Sequence, residues 1–335
     1  MARFVGLDLG STYTRIWTPE NGIILRCPTA AAIDKDTKKL VALGAKAREM
    51  LGKTPPDILA SRPIREGLLS DYEMGSLMLR EMFLNKQLCS TFRRPTVLMG
   101  IPYRINQSLQ FAAENAVFDS GARAVAQIPS IYAAAAGAGL RVASPRGCMV
   151  LNIGGGISET AVISSGGIIS AHSIRVAGER FDNAIINYLK NKRNLEVGLS
   201  TAEELRVRIG VCDSGRDGGS MTVYGRNART GLPMKQEVFS AEICESITPS
   251  LSAIARGVSA ALEGVPPEIA ADIYSFGLML TGGCAVMPGL SAFIARHTGL
   301  RVTVADHPMD CVINGLGRIL RKPELWGAPI DYRLK

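Results

Sequence analysis

Apolar and polar residues alternate in short runs at the start of the chain, the period of half-buried strands. Residues 3–17 read as strand, glycine-containing turn, strand, with Asp8 closing the first strand and Gly10, Ser11, Thr12 and Tyr13 in or beside the turn. Residues 147–163 repeat that plan around Asn152, Gly154, Gly155, Gly156 and Glu159. A third turn, Leu280-Thr281-Gly282-Gly283-Cys284-Ala285, follows another apolar run.

Between these landmarks the period lengthens and shortens. Ile23–Ile33 and Leu40–Leu43 read as further strands, and Gly44–Leu51 as a short helix ended by Thr54-Pro55-Pro56. Helical spacing over 73–87 precedes a strand at Pro95–Ile101, a helix at Gln107–Ser120 and a short strand at Ala124–Gln127. A small-residue helix begins near Pro129, a residue suited to a first helical turn. After Ser144-Pro145-Arg146-Gly147 and the second hairpin, a third strand is expected near 168–175. Helices then start near Glu179 and Thr201, with turns and a β-ribbon over 211–233. The spacing gives a long helix at Ser240–Glu263, another from Pro266, a strand at Leu278–Thr281, a helix at Met287–His297, a strand at Val302–Val304 and a last helix over 309–321. Groups of three strands followed by helices, twice over, predict two α/β domains with mixed sheets.

Composition narrows the classes without choosing one. A chain of 335 residues with 47% hydrophobic and 20% charged residues is an ordinary globular one, long enough for two domains. The net charge of +8 permits attraction to acidic lipid or nucleic acid but carries no specificity. With no basic tail and no aromatic-rich basic strand, no specific nucleic-acid partner is expected. The seven cysteines stand at least 27 residues apart, so reduced thiols are expected rather than zinc or disulfides. The uncharged run 124–140 is short and weakly apolar for a membrane span. A strand beginning near residue 3 leaves no room for a signal peptide. A soluble, cytoplasmic chain is expected.

The turns carry the candidate chemistry. Successive backbone N–H groups in a glycine-rich turn form a concave donor surface for phosphate oxygens, and glycine permits close approach. Ser11 and Thr12 add hydroxyls. Asp8 can hold water on Mg²⁺, which keeps several waters and takes few protein carboxylates. Arg15, on the return strand, can neutralise phosphate charge or be solvated. A dinucleotide-binding reading fails, because a strand rather than a helix follows the second glycine run. Two related hairpins closing from both halves make ATP the leading ligand.

With these residues in place, the chain resembles the actin, sugar-kinase and heat-shock-chaperone ATPase superfamily, and within it the MreB family of bacterial rod-shape-determining actins. The resemblance runs from about residue 3 to about 321. It rests on the hairpins, Met50-Leu-Gly-Lys-Thr-Pro55, Arg62-Pro-Ile-Arg-Glu-Gly67, Ala133–Gly139, Thr201-Ala-Glu203, Thr230-Gly-Leu-Pro233, Pro266–Asp272 and, most specifically, Leu280–Leu290. It implies an actin-like duplicated ATPase fold with two smaller inserted subdomains. The first domain would span 1–145, its smaller subdomain about 30–68. The second would span 146–310, its smaller subdomain about 179–246, and 311–335 would pack back on the first.

The resemblance also implies ATP and Mg²⁺ as cofactors. It places phosphate contacts on Ser11, Thr12, Tyr13, Gly154, Gly155 and Gly156, and the adenosine side on Glu203, Glu204, Leu205, Arg206, Gly282, Gly283, Cys284 and Ala285. Asp8, Gln127, Asn152 and Glu159 become the hydrolytic group, Gln127 as the residue that positions water. Asn152 stands where the family usually has Asp, which implies slow hydrolysis. The implied function is a filament, built head-to-tail from copies of this chain at the inner face of the cytoplasmic membrane. It would organise cell-wall synthesis with membrane proteins of cell shape. The loop over 86–94, with Leu88, Cys89 and Phe92 among basic residues, is the expected membrane contact. A scaffold that binds ATP without hydrolysing it, or a small-molecule kinase, remains an alternative.

Overall fold

The computed structural model describes residues 4–89, 94–213, 215, 218–327 and 330–335. Each half is built on one strand arrangement used twice. In the first, Phe4–Leu9, Tyr13–Thr18 and Gly22–Pro28 form an antiparallel meander, and Thr96–Ile101 then Ala124–Pro129 add in parallel beside Phe4–Leu9. In the second, Cys148–Ile153, Ser158–Ser164 and Gly167–Ile174 form the meander, and Leu278–Thr281 then Val302–Val304 add in parallel beside Cys148–Ile153. The first sheet carries one more edge strand, Arg333–Leu334, paired with Ala124–Val125.

The halves meet at helices Ser130–Gly137 and Cys311–Arg321. The run Ala133–Gly137 leaves the second half of the first with almost no side-chain bulk. A Cβ on Gly137 would strike the Cys311 carbonyl, and one on Gly315 would strike the Ala133 carbonyl. Only glycine lets these backbones approach so closely. Around the crossing, Ile128, Ile131, Tyr132, Val150, Ala161, Ile163, Ile313 and Leu316 form a core shared by both halves.

Two three-stranded sheets flank the large ones. Ala31–Asp34 pairs with Leu40–Leu43 and Ile58–Ser61 beside helix Ala45–Met50. Leu195–Glu196, Ser220–Asn227 and Pro233–Phe239 form the other. The single strand expected over 23–33 is therefore two strands in different sheets. Pro28 lacks a donor, and Thr29 turns the chain by bonding the Thr12 and Gly10 carbonyls. The β-ribbon lies at 220–239, later than expected. The helix expected from Met287 starts at Leu290, after a 3₁₀ turn at Gly283–Val286 and a left-handed Gly289.

Candidate functional site between the hairpin turns

Both hairpin turns close in the same way. The Gly10 amide donates to the Tyr13 carbonyl at 3.2 Å, and the Gly154 amide donates to the Ile157 carbonyl at 3.0 Å. The turns also touch each other. A Cβ on Gly155 would overlap the Thr12 side chain, and one on Gly156 would lie 2.5 Å from Ser11 Oγ. Among the described residues the amides of Ser11, Thr12, Gly155 and Gly156 have no protein acceptor. Four free backbone donors thus converge from two halves, the arrangement that receives phosphate oxygens.

Register places the polar side chains in two rows below the turns. In the second sheet Ser173, Glu159, Asn152 and Thr281 are successive cross-strand partners, so they share one face. In the first sheet the matching row is Arg26, Arg15, Asp8 and Gly100. Arg15 binds Asp8 at 3.3 Å and Asp310 at 3.1 Å, while Arg26 binds Asp310 at 2.7 Å. Burial raises the Asp8 carboxyl above its ordinary value, more than Arg15 lowers it. Burial also works against the Asp310 carboxylate, but the Arg26 hydrogen bond and the Arg15 charge outweigh it and hold it low.

Glu159 is 1% exposed. Its Oε1 accepts from the Tyr103 amide at 2.7 Å and the Ser173 hydroxyl at 3.3 Å, and burial pushes its carboxyl up to about 7. Beside it, Asn152 Oδ1 accepts from the Thr281 hydroxyl at 3.2 Å. Gly282, with φ 92, passes so close to Asn152 that a Cβ would lie 2.7 Å from Oδ1. The Cys284 thiol donates to the Gly154 carbonyl at 3.3 Å, joining the third turn to the second. A Cβ on Gly283 would meet nothing within 4 Å, which leaves that turn open.

Glu203 and Arg206 lie one helical turn apart on Leu199–Ile209. Arg206 binds Asp182 through Nε at 2.6 Å and Nη2 at 3.3 Å. Glu203 is held from the other half, by Arg48 at 2.8 Å and Arg62 at 3.3 Å, and Arg62 also approaches Glu179 at 3.5 Å. Arg48 further donates to the Tyr13 hydroxyl at 3.3 Å. Arg48, Arg62, Glu179 and Asp182, which complete this network, carry no role expected from the sequence. Residues far apart in sequence with generic charge give no local signal.

Several expected site residues stand elsewhere. Gln127 is level with Met99 and Leu7 across parallel strands, so it points to the opposite face from Asp8, and its amide donates to the Gln110 carbonyl at 2.9 Å. It makes no hydrogen bond to Glu159 or the turns. Leu205 is buried in the core, and Glu204 pairs with Arg208 on the outer side of the helix. Leu88 is 1% exposed and packs with Phe83, Val117 and Ala122, so it is not a membrane-facing residue as folded. Cys89 is half-buried, and Phe92 lies outside the described residues.

Among the described residues no cluster of His, Cys, Asp or Glu could hold a metal ion by itself. Asp8, in the polar row below the turns, is the carboxylate that could hold Mg²⁺ through water.

A model of the MreB/Mbl protein family matches residues 2–326. The cell shape-determining protein Mbl of Bacillus cereus is 38% identical over 320 residues, covering 95% of this chain and 96% of that protein. The cell shape-determining protein MreB of Escherichia coli K12 is 37% identical over 332 residues, covering 97% and 95%. The crystal structure of MreB5 of Spiroplasma citri bound to ADP superposes with a TM-score of 0.90 at 30% identity, over 97% of this chain and 98% of that one. The same protein bound to AMPPNP gives 0.91.

Proposed function

This chain belongs to the MreB/Mbl family and has its actin-like fold, and we propose that it binds ATP between the two hairpin turns and assembles into filaments that determine cell shape. The observation that carries this reading is the convergence of four unpartnered amides, on Ser11, Thr12, Gly155 and Gly156, from turns in contact across the halves. The nucleotide-bound MreB5 structures support it by likeness. Bound Mg²⁺ would neutralise phosphate charge near Asp8. Arg15, itself braced by Asp310, holds that carboxylate in place.

Hydrolysis is slow in this reading. The water oxygen bonds to the γ-phosphorus while the bond to the β–γ bridging oxygen breaks, and Glu159 takes the water's proton. Asn152 can hydrogen-bond water but cannot accept its proton. General-base assistance is typically worth roughly 10²–10⁴-fold, which bounds what one missing carboxylate costs.

Closure on ATP would fix the relation of the halves, and a head-to-tail contact without rotational closure then gives an open filament. Placement at the inner face of the membrane, with cell-wall synthesis and cell-shape proteins as partners, completes the proposal. No helix among the described residues is long and apolar enough to cross a membrane. Attachment would therefore be peripheral, strengthened by many weak contacts along a filament. The test is sedimentation of the purified protein with ATP, with and without anionic liposomes, beside phosphate release. ATP-dependent pelleting that increases with liposomes is expected. No pelleting would overturn the filament reading, and no pelleting together with turnover only on an added phosphoryl acceptor would favour a kinase.

A further inference from the structure

Glu159 is anchored through one oxygen only. Oε1 receives both hydrogen bonds, and Oε2 receives none from the described residues. The donors come from different halves. Ser173 is the direct cross-strand partner of Glu159 within the second sheet, while Tyr103 sits just after the strand Thr96–Ile101 of the first. We propose that Ser173 and the Tyr103 amide are positioning groups of the hydrolytic site, which together aim Glu159 Oε2 at the attacking water when the halves are closed.

The proposal rests on the ATP-hydrolysing reading above and adds the residues that set its geometry. An N–H and an O–H given to one carboxylate oxygen favour the charged form. They also fix the carboxylate plane, so the remaining oxygen has one direction. Separation of the halves removes the Tyr103 donor and leaves Ser173 alone, so the base is fully set only in the closed molecule.

The surroundings make Ser173 the group to test. On the face Glu159 shares, its own sheet contributes the neutral Asn152 and Thr281. Helix Ser130–Gly137, packed on that face, carries Tyr132 as its titratable residue. The loop from the first half brings Tyr103 and Arg104, the latter stacked on the Tyr103 ring at 5.2 Å. Two residues along from Ser173, Arg175 is paired with Glu66 at 3.3 Å. His172 points the other way, against Gly257. Burial, the Tyr103 amide and the Ser173 hydroxyl account for where Glu159 titrates.

The experiment compares wild type, Ser173→Ala and Ser173→Thr in the full chain. Infrared difference titration of the carboxyl band, assigned with Glu159→Gln, gives the Glu159 midpoint. Phosphate release across pH 5.5–9.5 gives the rate profile. Loss of one hydrogen bond to the charged form raises the midpoint by about one pH unit in Ser173→Ala. Turnover at neutral pH then falls about fivefold and recovers in alkali, since that shift lowers the ionised fraction from about a half to about a tenth. Ser173→Thr restores both. An unchanged midpoint in Ser173→Ala, or turnover equal to wild type at every pH, would overturn the positioning role. A shifted midpoint in a protein that binds ATP but releases no phosphate at any pH would instead overturn the hydrolytic reading.

Discussion

Asp8 and Asn152 hold the same place in two copies of one strand arrangement. Each sits two residues before the glycine that closes its hairpin turn, and each pairs across to the middle of its polar row. The copies differ in charge. Asp8 is bound by Arg15, whereas Asn152 accepts a hydrogen bond from Thr281 and stands beside the buried acid Glu159. A carboxylate at 152 would have Glu159 as its cross-strand neighbour with no arginine in the row.

Asn152→Asp is expected to accelerate ATP turnover, because it restores a proton acceptor within the roughly 10²–10⁴-fold range of general-base assistance. Single-turnover phosphate release in alkali, where repulsion between the new carboxylate and Glu159 no longer keeps either one protonated, measures it. An equal or lower rate would count against hydrolysis being limited at this position.

Gly155→Val is expected to abolish nucleotide binding. A Cβ there overlaps Thr12, so the turns must separate and their amides no longer converge. Titration calorimetry with ATP, and pelleting with ATP, read the loss directly. Wild-type affinity in this variant would move the nucleotide away from the turns.

Glu159 gives stability a pH signature. Its folded pKa of about 7 lies above the ordinary 4.5, so between those values the folded state holds a proton the unfolded state has lost. Stability therefore falls as pH rises from about 4.5 to about 7 and is flat above, a loss on the order of 3 kcal/mol from this group. Glu159→Gln should remove that slope. Denaturant midpoints at pH 5 and pH 8 would show the variant gaining on wild type at the higher pH.

Arg62 joins the halves through Glu203 and Glu179. With side-chain exposure of 11% on both Arg62 and Glu203, removing the arginine leaves Glu203 with Arg48 alone and Glu179 without an ion-pair partner among the described residues. The cost should therefore stay below the roughly 3–5 kcal/mol of a fully orphaned buried charge. Arg62→Ala should also raise hydrogen exchange at residues 10–13 and 154–157. Unaltered exchange there would show that the pair does not hold the turns together.

Leu88→Ala should destabilise the fold by about 2–5 kcal/mol, as expected of a leucine in a packed core. Chemical denaturation measures it. A change below 0.5 kcal/mol (about the effect of an exposed site) would return Leu88 to the surface.

The sequence alone was enough for the two hairpins, the third turn and the duplicated α/β plan, because these depend on local period and on glycine at turns. The residues at 10–12, 154–156 and 282–284 are neighbours in sequence as well as in space, so the turns that come together between the halves could be read before folding. Sheet register decided the rest. Asp8 and Gln127 both lie near strand ends, yet alternation sends them to opposite faces, and only pairing with Gly100 and Met99 shows which is which. The donors on Glu159 come from positions 103 and 173, and the partners of Glu203 from 48 and 62. Such contacts form when two halves close over a shared core. They leave no periodic trace along the chain, because hydrogen bonds and ion pairs depend on distance in space, and a generic Ser or Arg takes its role only from what folding brings beside it.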